Sequence, residues 1–403
     1  VAGQAGNLNH QATRLHHRGN LPEALELYTR ALVHSPREVS ALLGAAECLT
    51  SLSKPREAAP LYLRAVEVHA NQGHLLKALF TLGQISSPGP QRQLGTRLLA
   101  DSFAKKTGRA AQLRHPPTPT PLLGPRPVPL FSQLSKNAFI GLVESLQIRS
   151  VAEGEFLFQP GEPGDAMLIL VSGRLAVQKD TLDKTASSIT MLEEGSFFGE
   201  RALLGDLPRV ARVQAVQPSS LLVVSKSQVE QTRRAYPSWE RALQHVYREN
   251  LLNTLMRTSE LFAPLPGDAH HKLIKEFRIK RIPPKTPLFE EGQPTDGLYV
   301  VLEGRVEVVV RQRGRRRVLA KWEAGSVFGE DSLFGSPRSG HALRTGRKTT
   351  VLRLPRKSFT EVLAGFPGSW AHVQHLAKAL PKSSPWGGDA EPRLPKESNL
   401  ILV

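Results

Sequence analysis

The sequence predicts an α+β chain: an N-terminal α-helical repeat region followed by two copies of one mostly-β domain with flanking helices. Three observations predict it. Alanines and large apolar residues recur at helical spacing over residues 4–107, with a period of 34 positions. A proline-dense segment follows. From residue 130 onward the chain repeats itself 131 positions later, in short alternating runs broken by glycines.

In the first region Ala24, Tyr28 and Ala31 return as Ala58, Tyr62 and Ala65, and Leu8, Ala12, Leu15 and Pro36 fit the same pattern. Thirty-four residues is the tetratricopeptide period, in which small residues let paired helices cross closely while tyrosine and leucine fill the gaps between pairs. Gly73, Ala78, Leu82 and Pro90 match the loop and second helix of a third unit in shifted phase, so residues 56–70 serve both registers. About six helices are expected, in a tetratricopeptide-like domain over 1–113. Cys48 falls among its core positions.

Residues 114–129 read as a linker. Seven of the fourteen residues from 116 to 129 are proline, which cannot sustain a helix or a central strand and favours a stiff, extended spacer. Beyond it Leu134, Leu142, Phe158, Gly161, Asp165, Gly173, Arg174 and Val177 return as Leu265, Leu273, Phe289, Gly292, Asp296, Gly304, Arg305 and Val308. That is a duplicated domain, over 130–258 and 259–380, with a flexible tail at 381–403. Each copy opens on a short amphipathic helix (136–146; 269–277), continues as strands, and turns helical again after Tyr236-Pro237 and Phe366-Pro367. The run Arg311-Gln312-Arg313-Gly314-Arg315-Arg316-Arg317 lies between two strand patterns and reads as a hairpin tip.

The motif with chemical content runs from Phe198-Gly199-Glu200 through Ala202 to Pro208-Arg209-Val210-Ala211-Arg212. It returns as Phe328-Gly329-Glu330 through Ser332 to Pro337-Arg338-Ser339-Gly340-His341, one residue shorter. This pair resembles the phosphate-binding cassette of cyclic-nucleotide-binding domains, the family of the catabolite activator protein and of the regulatory subunits of cyclic-AMP-dependent protein kinase. The resemblance covers about residues 130–376 and implies two β-rolls of jelly-roll-like form.

It also implies roles for ten residues. Gly199 and Gly329 bring backbone amides close to a phosphate, with Ala202 and Ser332 keeping the approach open. Arg209 and Arg338 offer forked donors to phosphate oxygens, and Glu200 and Glu330 accept from a ribose 2′-hydroxyl. Val210 and Ser339 complete the two cassettes. Arg212 and His341 stand where the family carries threonine or serine, which leaves base selectivity open and admits a second phosphate at the first site. Tyr236, Trp239 or Tyr247 for the first pocket, and Phe366 or Trp370 for the second, are candidates for an apolar cap.

The expectation is a non-enzymatic cyclic-nucleotide receptor that couples ligand binding in two β-rolls to an unidentified protein partner on the helical repeats. Its ligand is cAMP or cGMP, with cyclic di-GMP possible, and no cofactor or metal is implied. Two alternatives stay open: a degenerate scaffold binding polyanions or proteins without a nucleotide, and a cyclic-dinucleotide receptor. Lysine and arginine exceed aspartate and glutamate by 53 − 36 = 17, which suits anionic partners in general. The sequence contains no Walker loop, His-Glu-x-x-His or Gly-x-Ser-x-Gly motif to suggest an enzyme. The segment after the second roll is too short for a DNA-reading helix-turn-helix, so sequence-specific DNA binding is not expected. A kinase regulatory subunit also has tandem rolls, but 116–129 holds no Arg-Arg-x-Ser pseudosubstrate. One cysteine and no apolar run near the ~20 residues of a membrane span point to a cytoplasmic protein.

Overall fold

The computed structural model describes residues 2–86, 89–104, 131, 133–180, 187–199, 209, 211–259, 261–312, 315–334 and 338–369. The proline-dense segment, Glu200, Ala202, Val210, Trp370 and the tail lie outside the described residues. Compactness divides the chain into two units, 1–246 and 247–402.

The first unit begins with six helices: α1 (Ala2–His17), α2 (Leu21–His34), α3 (Val39–Ser51), α4 (Pro55–Asn71), α5 (Leu75–Gly83) and α6 (Pro90–Phe103). Ala24, Tyr28 and Ala31 on α2 are buried, as are Ala58, Tyr62 and Ala65 on α4. Gly44 of α3 makes room for the first of these tyrosines, since a Cβ there would stand 2.3 Å from the Tyr28 ring. Helix α4 packs against α3, α5 and α6. Cys48 is buried among alanines in the core of the first three helices, and its burial raises the thiol pKa.

Helix α7 (Lys136–Ser145), capped by the Ser135 hydroxyl, leads into the first sheet. Its strands are β1 (Gln147–Val151), β2 (Phe156–Phe158), β3 (Ala166–Asp180), β4 (Ser187–Leu192), β5 (Phe197–Phe198) and β6 (Arg212–Ser225), in the order β1-β6-β3-β4, with β2 on β6 and β5 on β3, all antiparallel. Helices α8 (Lys226–Ala235) and α9 (Pro237–Thr258) follow.

The helical region and this sheet share one hydrophobic core. Leu79, Leu82, Leu99 and Phe103 of the helices join Phe139 and Leu142 of α7, Met167, Ile169 and Val171 of β3, and Leu222 and Val224 of β6. Helix α5 lies on β1, β3 and β6, and Gly83 at its end sits so near Ile148 that a Cβ would fall 2.4 Å from Cγ2. Arg92 of α6 ties off the end of α5 by donating to the carbonyls of Leu82, Gly83 and Ile85. The continuous apolar run from Met167 to Val171 follows from this packing, because both faces of β3 are covered.

The second unit contains the later part of α9, then α10 (Gly267–Glu276) and strands β7 (Arg278–Ile282), β8 (Pro287–Phe289), β9 (Gly297–Glu303), β10 (Arg305–Gln312), β11 (Arg315–Glu323), β12 (Val327–Phe328), β13 (Ala342–Thr345) and β14 (Thr349–Pro355), closing on α11 (Arg356–Ala364). Two four-stranded sheets result, β11-β10-β13-β8 and β12-β9-β14-β7. Their long strands correspond to β3 and β6 of the first copy, broken here and merely bent there.

The bend comes from one device used twice. Gly173 and Gly304 take φ of +99° and +95°, and a side chain on either would strike the facing strand at Ser219 or Thr349. Those hydroxyls accept from the next backbone amide, Arg174 at 3.2 Å and Arg305 at 3.1 Å. Strands β10 and β11 pair down to Gln312 and Arg315; Arg313 and Gly314, where the sequence places the hairpin tip, lie outside the described residues.

Candidate nucleotide site

In the first roll, Phe198 on β5 carries the chain into Gly199, whose φ of +76° is open to glycine at little cost. Arg209 meets it from the far side of the cassette. This arginine is buried, its Nη2 donates to the carbonyl of Ala166 at 2.8 Å, and its Nη1 donates to that of Gly199 at 3.2 Å. The guanidinium lies over the Phe158 ring, 4.2 Å from its centroid. Asp165, highly exposed, stands 4.0 Å away and adds little to so screened a pair.

The backbone of Arg209 is held as firmly as its side chain. Its amide donates to Glu162 O at 2.8 Å and its carbonyl accepts from Gly161 N at 2.9 Å. The arginine thus has a fixed address: its backbone pairs with the turn after β2 and its side chain with the start of β3. In the sequence, Phe158 and Asp165 announce their place beside it only by recurring 131 residues later.

The second roll repeats the glycine. Gly329 has φ of +84°, and a Cβ there would lie 2.6 Å from the carbonyl of Gly297. Glu330, half-buried, opens a short 3-10 helix (Glu330–Leu333). Ser332 within it is fully buried and donates to Thr295 Oγ1 at 2.6 Å.

The arginine is where the copies part. The backbone bonds made by Arg209 in the first roll are made here by Ser339, whose amide donates to Gln293 O at 2.8 Å and whose carbonyl accepts from Gly292 N at 2.7 Å. Sequence spacing aligns Arg338 with Arg209, but the ladder puts Ser339 on that rung. Ser339 is buried and turns its hydroxyl to the carbonyl of His341. Arg338 is exposed, with Nη1 on the carbonyl of Gly292 at 2.8 Å. The physical reason is register: Gly199 to Arg209 and Gly329 to Ser339 are both ten positions apart, so the rung keeps its distance from the glycine while Pro337-Arg338 arrives one position early.

An aromatic stack fills the adjoining core of the second roll. Tyr299 and Trp322 sandwich Phe328 at centroid distances of 5.2 and 5.0 Å. Burial, and the hydrogen bond that Tyr299 donates to Asp296 at 2.7 Å, raise the phenol pKa. Asp296 is held in turn by Arg353.

Residues 148–236 and 279–365 both match the family model described as the cyclic nucleotide-binding domain. The chain carries two cyclic nucleotide-binding domains. A cAMP-dependent protein kinase regulatory subunit of Yarrowia lipolytica is 26% identical over 239 residues, 58% of this chain and 58% of that protein. The cGMP-dependent protein kinase egl-4 of Caenorhabditis briggsae is 26% identical over 234 residues, 57% of this chain but 30% of the relative. The chain therefore spans between about a third and three fifths of these relatives. Among solved structures, the regulatory domain of Toxoplasma gondii PKA with cAMP aligns at 22% identity over 62% of this chain and 92% of that one, with a TM-score of 0.28.

The remaining candidates sort by where these domains place them. Arg212 alternates on β6 with the inward Val213 and stands 5.7 Å from the ring of Phe156, which is 42% exposed, so it faces outward from the first domain. Trp239 is a fully buried member of the first unit's core, and Tyr236 packs there on Gly141 of α7. Tyr247 is buried in the second unit. Phe366 carries Lys272 over its ring at 5.0 Å. Among the described residues no group of three or more His, Cys, Asp or Glu is placed to hold a metal ion. Among them, too, no helix is long and apolar enough to cross a membrane.

Proposed function

We propose that this chain is a non-enzymatic cyclic-nucleotide receptor whose first domain holds the ligand through Gly199 and Arg209, with Glu200, Ala202 and Val210 completing the cassette. The observation that carries the reading is the buried guanidinium of Arg209 against the left-handed Gly199. A buried arginine anchored on two backbone carbonyls keeps its charge and its fork in one orientation, the arrangement that favours a phosphate anion. The named relatives include cAMP-dependent and cGMP-dependent proteins, so the ligand is cAMP or cGMP, with Glu200 accepting the ribose 2′-hydroxyl.

In the second domain Gly329, Glu330, Ser332 and Ser339 form the cassette and Arg338 stands at its rim. A neutral serine on the arginine's rung makes this the weaker phosphate site. Output runs to a protein partner on the tetratricopeptide-like helices. What supports this is the path of packing in the first unit, from α8 to α7 and from α7 to α6. A ligand that draws α8 to a new position shifts the population of arrangements across that path only if it binds one of them better.

The test is calorimetric titration of the whole chain with cAMP, cGMP and cyclic di-GMP, repeated with Arg209→Ala. One tight site for a cyclic mononucleotide, weakened about 10-fold to 100-fold by the substitution, is expected. No heat with any ligand, or full affinity after the substitution, defeats the assignment.

A further inference from the structure

The β10–β11 hairpin of the second domain is charged in a way that the fold does not require. At its base every arginine is matched: Arg305 and Arg347 with Glu323 at 2.6 and 3.2 Å, and Arg344 with Glu307 at 3.0 Å. Above the base the balance disappears. Residues 308–322 hold five arginines and one lysine with no aspartate or glutamate. The register sets Arg311 directly across from Arg316, and Arg316 and Arg317 are exposed.

The first domain has a charge-balanced sequence at the corresponding place. Its counterpart, β3–β4, pairs down to Asp180 and Ser187, and residues 178–188 carry two lysines and two aspartates. The hairpin is also rigidly footed, with Val306, Val308 and Val309 buried and Trp322 stacked on Phe328. A two-stranded ribbon with a fixed base thus carries the exposed Arg316 and Arg317, and the same run of sequence holds three further arginines, a cationic surface suited to an anion outside the protein.

We propose that the β10–β11 hairpin binds duplex nucleic acid through its phosphodiester backbone. Arginine is used in place of lysine at every charged position from 311 to 317, which suits the planar, two-point recognition of phosphate oxygens. A β-ribbon fits the major groove of B-form DNA. Residues 311–317 contain no aromatic or aliphatic side chain to enter a lipid interface, which separates this surface from a membrane anchor. The net charge of +17 adds long-range attraction for any such polyanion.

Fluorescence anisotropy of a labelled 20-base-pair DNA duplex and the matching RNA duplex, against the full chain over a range of salt, tests this. Vesicles containing phosphatidylserine form the third arm. The wild type is expected to bind duplex at low salt, and the Arg311→Gln/Arg316→Gln/Arg317→Gln variant to lose about tenfold or more and to flatten the salt slope by about 3. Lys179→Gln/Lys184→Gln in the first domain should leave binding unchanged, and the tighter of DNA and RNA names the source of the phosphates. An unchanged affinity in the arginine variant, equal losses in both variants, no duplex binding, or binding to vesicles in place of duplexes each overturns the proposal.

Discussion

The carbonyl of Gly199 accepts from Arg209 Nη1 at 3.2 Å, and an ideal Cβ on Gly199 would stand 2.4 Å from that same nitrogen. Gly199→Ala therefore meets two penalties: a left-handed φ that costs about 1–2 kcal/mol in an L-residue, and a collision with the guanidinium. Thermal melting should register the first penalty and calorimetry the second, as a cyclic-nucleotide affinity at least about tenfold weaker. Gly161→Ala is the control, since Gly161 has φ of +88° and open space around it. Equal losses of affinity in the two variants would mean that the collision is irrelevant to the site.

The different rungs of Arg209 and Arg338 predict unequal consequences. Arg209→Ala leaves the carbonyls of Ala166 and Gly199 without these donors, a loss of about 1–3 kcal/mol in unfolding stability as well as in ligand binding. Arg338→Ala removes an exposed side chain and should stay within about 0.5 kcal/mol of wild type. Urea denaturation of the two variants without ligand, followed by titration, compares them directly. A larger effect at Arg338 in both measurements would reverse the ranking of the domains.

Contact between Gly83 and Ile148 predicts a change of sign. Gly83→Ala ought to gain about 1 kcal/mol of helix propensity, but its Cβ would lie 2.4 Å from Ile148 Cγ2, and overpacking of this kind costs about 1–3 kcal/mol. Destabilisation in the wild-type background should become stabilisation in Ile148→Ala, where the obstructing methyl is gone. A double-mutant cycle by urea denaturation reads the difference. Additive effects would show that α5 does not rest on β1 in solution.

His69 predicts how the helical region responds to acid. It is buried on α4, and burial, helped by the neighbouring His74 and Lys77, lowers its pKa to about 4. Between the unfolded value near 6.5 and this folded value, the unfolded chain holds the extra proton. Stability contributed by neutral His69 is thus complete above about pH 6.5 and falls as pH drops toward 4, by up to roughly 3 kcal/mol. The pH dependence of unfolding for His69→Gln, set against wild type, should flatten over that window. An unaltered slope would place the acid sensitivity elsewhere.

Much of this protein was readable from spacing alone. The recurrences at 34 and 131 residues marked the buried alanines and tyrosines, the duplicated rolls, and the bends at Gly173 and Gly304, because each depends on local periodicity or on a glycine that a turn demands. Two things were decided only by tertiary structure. One is that Ser339, not Arg338, holds the rung of Arg209, since a one-residue deletion can be absorbed on either side of an arginine and backbone pairing alone chooses the side. The other is that α5 lies on β1, β3 and β6 of the first sheet, with α6 joining the same core. Every position from Met167 to Val171 is apolar, as burial on both faces requires, but burial is non-directional, and no local pattern names the distant segment that supplies the cover.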